Sequence, residues 1–211
     1  MQLIGMLDSP YGRRVAVSLQ LLGIPFEHRS LSVFSTFDQF QQINPVVKSP
    51  TFISDEGDVL MDSSLILEYA EALAKGRKSL LPESIAELRR SLRLTGLALA
   101  ACEKAIQIEY EHKVRPPEKV HAPWIERVTG QLLAAWRELE AELRCQPLAA
   151  TSASIDQAGL TVAIAWHFTQ AMVPDVVPAA QFPLLQAFSQ QAELLPEFAA
   201  APHGASTYRA G

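Results

Sequence analysis

Strand-forming patterns occupy only about the first 75 residues of this 211-residue chain, and everything after them is patterned as helix. Strands need partners close at hand, so this asymmetry calls for a small sheet-bearing domain followed by a separate helical one. The length suits two small domains better than one average one.

The early elements can be read in order. Residues 2–7 form an apolar run bounded by Asp8-Ser9-Pro10. Val15, Val17, Leu19, Leu21 and Leu22 then give a broadly apolar helix. Gly23 ends it and Pro25 follows, the usual stop of a left-handed glycine and a residue that cannot continue a helix. Residues 26–31 read as a second strand, parallel to the first through a right-handed crossover. A short helix is expected over 37–43. Residues 51–53 and 59–61 flank Ser54-Asp55-Glu56-Gly57-Asp58, a hairpin loop with glycine at its positive-φ position. A third helix covers 63–74. The order β-α-β-α-β-β-α is thioredoxin-like.

Lys75-Gly76-Arg77-Lys78 and Pro82 mark a polar linker. Beyond it Ile85, Leu88, Leu92, Leu99 and Ile106 recur at helical spacing, and Trp124, Val128, Leu132, Ala135, Leu139 and Leu143 do so again. Residues 160–172 are apolar nearly all round, as in a central buried helix. Ser154-Ile155-Asp156-Gln157 before them fits an S-x-x-Q capping box. Residues 182–192 make one more helix. The expected domains are 1–77 and 84–205.

Several functions are disfavoured. The net charge is −5 and there is no basic run with interleaved aromatics, so nucleic acid has no electrostatic footprint. No apolar stretch reaches the roughly 20 residues that span a bilayer, and the N-terminus lacks the form of a signal peptide. Cys102 and Cys145 form no CxxC pair and the five histidines show no HxxxH spacing, so neither disulfides nor a metal are expected. The default expectation is a reduced, cytoplasmic, metal-free protein.

Three clusters could carry chemistry. Ser9-Pro10-Tyr11-Gly12 lies between the first strand and helix, where thioredoxin-like redox enzymes carry Cys-Pro-Tyr-Cys. Ser9 and Gly12 have no thiol, which excludes dithiol exchange there. A serine hydroxyl at a helix N-terminus can instead donate to a thiolate with help from the helix dipole; it also fits as a plain cap. In Asn44-Pro45-Val46-Val47-Lys48-Ser49-Pro50-Thr51, a cis bond before Pro50 would present the Ser49 backbone to an extended peptide, and Lys48 could meet a carboxylate. Two ordinary trans prolines would fit the same residues. Asp62 and Ser63 open the third helix, as caps or as groups that hold a ligand.

The run SPYGRRVAVSLQLLGIPFE, then NPVVKSPTF, then DSSLILEYAEAL, then a helical region with SIDQAGL, resembles serine-type glutathione S-transferases over nearly the whole chain. The resemblance implies a thioredoxin-like glutathione-binding domain and an all-α domain with the second-substrate site. It implies Ser9 as the residue that activates the glutathione sulfur. Tyr11, Lys48, Ser49, Pro50, Asp62 and Ser63 would bind glutathione as co-substrate: Lys48 at the glycine carboxylate, Ser49 before cis-Pro50 at the cysteinyl part, Asp62 and Ser63 at the γ-glutamyl end. An electrophilic small molecule would be the other substrate, near the first long helix, with Tyr110 as a weaker lining candidate and residues 114–123 as a loop at the pocket mouth. A homodimer is implied, with no nucleic-acid or membrane partner. The chain departs from the family pattern at Ser49, usually an aliphatic residue, at Asp62, often Glu, and at Gln157, usually Asp. The competing reading is a non-catalytic interaction module on the same fold. A glutathione-dependent thiol reductase would want Cys at position 9.

Overall fold

The computed structural model describes residues 1–74 and 78–208. Lys75, Gly76 and Arg77 of the expected linker lie outside the described residues. The chain divides into two compact units, one of residues Met1–Leu81 with Leu194–Gly211, the other Pro82–Glu193.

The first unit holds a four-stranded sheet in the order β2-β1-β3-β4. Its elements are β1 (Gln2–Ile4), α1 (Pro10–Leu21), β2 (Glu27–Arg29), α2 (Phe37–Ile43), β3 (Thr51–Ile53), β4 (Val59–Met61) and α3 (Ser63–Leu73). β1 pairs parallel with β2, Gln2 opposite Glu27, and antiparallel with β3, Ile4 opposite Thr51. This is the expected β-α-β-α-β-β-α order. The first two strands are shorter than the segments expected for them, 2–7 and 26–31. β1 ends because Gly5 turns away at φ +134°, and its N–H goes to the Arg29 carbonyl.

Helix α1 ends as its sequence signals. Gly23 adopts φ +67° and donates to Gln20, while Ile24 donates to Leu19. These are the two bonds of a Schellman motif. Leu3, Ile4, Val15, Leu19, Phe52, Ile66 and Ala70 are buried in this unit. Residues 194–205, expected with the helical domain, also belong here. They include a five-residue helix, α8 (Pro196–Ala200), whose Phe198 is fully buried.

The second unit contains α4 (Ile85–Lys113), α5 (Ala122–Cys145), α6 (Gln157–Met172) and α7 (Pro183–Glu193). α6 has buried residues on all sides, as its composition requires. Trp166 on α6 stands edge-on to Trp136 of α5, with ring centres 5.0 Å apart, and its indole N–H donates to Gln186 of α7 at 2.8 Å. The start of α7 is capped from a distance: the buried Glu140 carboxylate on α5 accepts from the amides of Leu184 and Leu185, both at 3.0 Å.

The capping box expected at Ser154 is not formed. Ser154 is engaged in a turn of its own, its amide donating to Thr151 Oγ1 at 3.2 Å. The cap is Asp156, extended at φ −106°, which accepts from the Gly159 amide at 2.7 Å. Gln157 reaches forward, its side-chain amide donating to Thr161 Oγ1 at 3.3 Å. A working S-x-x-E pair lies instead at α4, where Ser84 accepts from the Glu87 amide and bonds the Glu87 carboxylate.

Asp156→Ala is therefore expected to lower the unfolding free energy by about 1 kcal/mol, whereas Ser154→Ala changes it much less. Urea unfolding followed through the tryptophans of the helical unit separates the two.

Candidate functional site

The glutathione-site residues expected from sequence all fall in the first unit, at three chain breaks. The first is the turn into α1. Ser9 is the N-cap, extended at φ −72° and ψ 123°, and Pro10 occupies the first helical position, where no amide is wasted. Ser9 Oγ accepts from the Gly12 amide over a long 3.4 Å, so its hydroxyl proton remains to be donated. Gly12 is required by space, since a Cβ there would stand 2.9 Å from the Met6 carbonyl. Ser9 and Tyr11 are both half-buried.

The second is the turn into β3. The Ser49–Pro50 bond is cis. The loop is held by Asn44, whose side chain donates to Thr51 Oγ1 at 2.8 Å, while that hydroxyl donates to the Lys48 carbonyl at 2.7 Å. Lys48 itself is exposed. Because Ile4 lies opposite Thr51, the cis bond sits beside the end of β1, the end from which the chain runs to Ser9. Ser49 Oγ is packed over Gly5, where a Cβ would approach it to 2.3 Å. That hydroxyl is buried with no hydrogen-bond partner.

The third is the start of α3. Asp62 takes φ +73° and caps the helix by accepting from the Ser64 amide at 2.9 Å. Ser63 is buried, and its hydroxyl accepts from Arg14 Nη1 at 3.1 Å; Ser64 Oγ accepts from the same nitrogen at 3.2 Å. Arg14 ties the second turn of α1 to the first turn of α3. Sequence reasoning gave it no role. The signal was present, a pair of arginines in an otherwise apolar helix with no acidic residue within a turn of either.

His28 was also missed. Its Nε2 lies 2.7 Å from the Gly5 carbonyl, and its Nδ1 accepts from the Tyr208 amide at 2.9 Å. Burial pushes its pKa below the ordinary 6.5, partly opposed by the bond to Gly5.

In the helical unit Tyr110 and Val114 are exposed near the end of α4, and residues 114–123 contain one 3₁₀ turn, Pro117–Lys119. Among the described residues no group of His, Cys, Asp and Glu could hold a metal, and no helix is long and apolar enough to cross a membrane.

Comparison with known proteins gives the geometry its context. The model of the glutathione S-transferase N-terminal domain matches residues 3–78. Glutathione S-transferase U4 of Arabidopsis thaliana is 34% identical over 74 residues, and the GST-like protein YibF of Escherichia coli K12 is 32% identical over 98. These matches take in 35% and 46% of this chain and span 33% and 48% of those relatives' length. Among solved structures, a glutathione transferase family member from Pseudomonas fluorescens Pf-5 with bound glutathione is 27% identical, with a TM-score of 0.81 over 96% of this chain and 98% of that one. A Methylobacterium radiotolerans glutathione S-transferase shares the fold at 22% identity, with a TM-score of 0.84 over 96% and 95% of the two chains.

Removing a buried, unpartnered hydroxyl should help stability. Ser49→Ala is expected to leave stability unchanged or raise it by up to about 1 kcal/mol. Gly5→Ala, which forces a side chain into Ser49 at a positive φ, is expected to lower it by about 2 kcal/mol or more. Thermal unfolding of the two variants checks both signs.

Proposed function

Because the chain belongs to the glutathione S-transferase family, we propose that it is a glutathione transferase whose Ser9 holds the glutathione sulfur as thiolate for attack on an electrophilic small molecule. The observation that carries this reading is the state of Ser9: a helix N-cap whose hydroxyl accepts only a long amide contact and so has its proton free to donate. A free thiol titrates near about 8.5 and is mostly protonated at neutral pH. A hydroxyl hydrogen bond and the positive end of α1 both favour the charged form. The thiol proton leaves to solvent, and the sulfur pair then bonds the electrophilic carbon while that carbon's leaving group departs with the electron pair of the bond that breaks.

The remaining contacts follow the shape of glutathione. The cis Ser49–Pro50 turn supports backbone pairing with the cysteinyl part. Lys48, exposed beside it, takes the glycine carboxylate, and Tyr11 flanks the ligand from the first turn of α1. Asp62 and Ser63 take the γ-glutamyl end. Arg14 strengthens this last contact: by donating to Ser63 Oγ it polarises that hydroxyl toward a ligand carboxylate and supplies a nearby positive charge. The Pseudomonas fluorescens relative has been seen with glutathione bound, which supports glutathione as the co-substrate here.

The same reading makes the protein a homodimer in the cytoplasm. Exposed Val59 and Met61 on the edge strand β4, with exposed Leu65 on α3, support association through that edge. Leu65→Asp is expected to shift the sedimentation coefficient from dimer to monomer.

The test of the chemistry is a glutathione titration of wild type and Ser9→Ala, with thiolate absorbance followed against pH. Wild type should bind and depress the thiol pKa. The variant should bind with that pKa higher by about 1–2 units, the worth of one hydrogen bond to a charged group. Binding without any pKa depression in wild type points to an interaction module, and no binding at all sinks the transferase reading.

A further inference from the structure

The segment after α7 is held on the sheet-bearing unit at several points. Arg13 Nε donates to the Ala201 carbonyl at 2.7 Å and Nη2 to Phe198 at 3.5 Å, with the guanidinium 5.7 Å from the Phe198 ring centre. Gln20 donates to the Glu197 carbonyl at 3.0 Å and Ser30 to the Ala205 carbonyl at 2.9 Å. The Tyr208 ring stacks on Phe26 at 4.6 Å, and the Tyr208 amide donates to His28 Nδ1 at 2.9 Å.

All but the last of these are indifferent to mild acid. Their acceptors are backbone carbonyls, and their donors are an amide, a hydroxyl and a guanidinium that stays charged throughout. The His28 bond differs. Nδ1 can accept only while it carries no proton, so the ring is neutral, with its one proton on Nε2 and directed at the Gly5 carbonyl. Protonation of Nδ1 sets an N–H against the Tyr208 N–H, donor facing donor. Gly5 is in turn the residue beneath Ser49 and the cis bond.

We propose that residues 194–208 form an acid-labile strap latched at His28, and that His28 is a positioning residue that carries the seating of the strap through Gly5 to the cis turn of the ligand site. The second half rests on the glutathione reading above; the first does not.

The sign follows from burial. His28 in the docked state titrates below its ordinary 6.5, so the latch is fully present above that value and is lost as pH falls through the lower docked value. The charged groups on the surrounding elements are Glu27 and Arg29 on β2, the Met1 ammonium paired with Asp55, Arg13 on α1, and Glu197 and His203 on the strap. His203 is the other imidazole and the necessary control.

The test is nuclear magnetic resonance of the full chain between pH 7.5 and 5. His28 ring nitrogen shifts report tautomer and protonation, and exchange of the Tyr208 amide, corrected for its intrinsic rate, reports the latch. At pH 7.5 the ring should carry its proton on Nε2. Below 6.5 the ring should protonate and Tyr208 should lose protection in step, with His203→Gln unaltered. Tyr208→Pro, which lacks the N–H, should leave amides 205–207 poorly protected at every pH, whereas Tyr208→Leu, which keeps it, should retain the pH step. A proton on Nδ1 at pH 7.5, Tyr208 protection unmoved while His28 protonates, or identical behaviour of the two Tyr208 variants overturns the latch. Glutathione titration at pH 7.5 and 5.5 tests the coupling: the loss of affinity on acidification should be larger in wild type than in Tyr208→Pro, and equal losses overturn it. If wild type binds no glutathione at pH 7.5, the glutathione reading and the coupling fall together, and the strap is judged by resonance alone.

Discussion

Arg13 is a guanidinium sunk in the middle of an apolar helix, 1% exposed. Such a group cannot lose its charge and must find acceptors where it lies. It finds them at the end of α8, where the carbonyls of Phe198 and Ala201 face it. Each side satisfies the other. The last carbonyls of a five-residue helix are short of donors, and a cation is the partner they favour. The charge in α1 therefore dictates that the segment beyond α7 return to the first unit, and the contacts of Gln20, Ser30, Phe26 and His28 extend that anchorage along it.

The neighbouring Arg14 does similar work toward the ligand side. Both arginines project from one turn of α1, one toward the strap and the other toward the serines that open α3. The sheet meanwhile fixes the backbone of the site. Gly5 ends β1, leaves room for Ser49 above it, and gives its carbonyl to His28. On the proposed reading, a thiolate site would need its donors held in advance, because an ordered donor stabilises charge without rearranging when the charge forms. The capped starts of α1 and α3 and the loop braced by Asn44 and Thr51 are ordered in that way.

Local patterns were legible in the sequence. α2, β3 and β4 fall where the residues place them, and Gly23 and Gly57 take the positive φ expected of them. What failed was competition between equivalent local choices: Ser154 and Asp156 can each cap α6, and only the Thr151 turn decides between them. Long-range partners were illegible for a plainer reason. The acceptors of Arg13 lie 185 and 188 residues away and are backbone carbonyls, which carry no residue identity to read. The His28 latch is the same case, since its donor is an amide that any residue but proline would supply. Of the candidate site, sequence places the polar side chains at the chain breaks as candidates, but it does not reveal the arginine bonded to Ser63 or the glycine under Ser49.

The split of the first unit across the chain has a consequence for synthesis. The helical unit is one continuous stretch, 82–193, and can close as soon as it has left the ribosome. The sheet-bearing unit is begun first but still lacks residues 194–208 at that moment, with the carbonyls that Arg13 needs among them. Of the two units, the one begun first is thus completed second, and the nascent chain carries an open seam along α1 and β2 until α8 and the residues after it arrive.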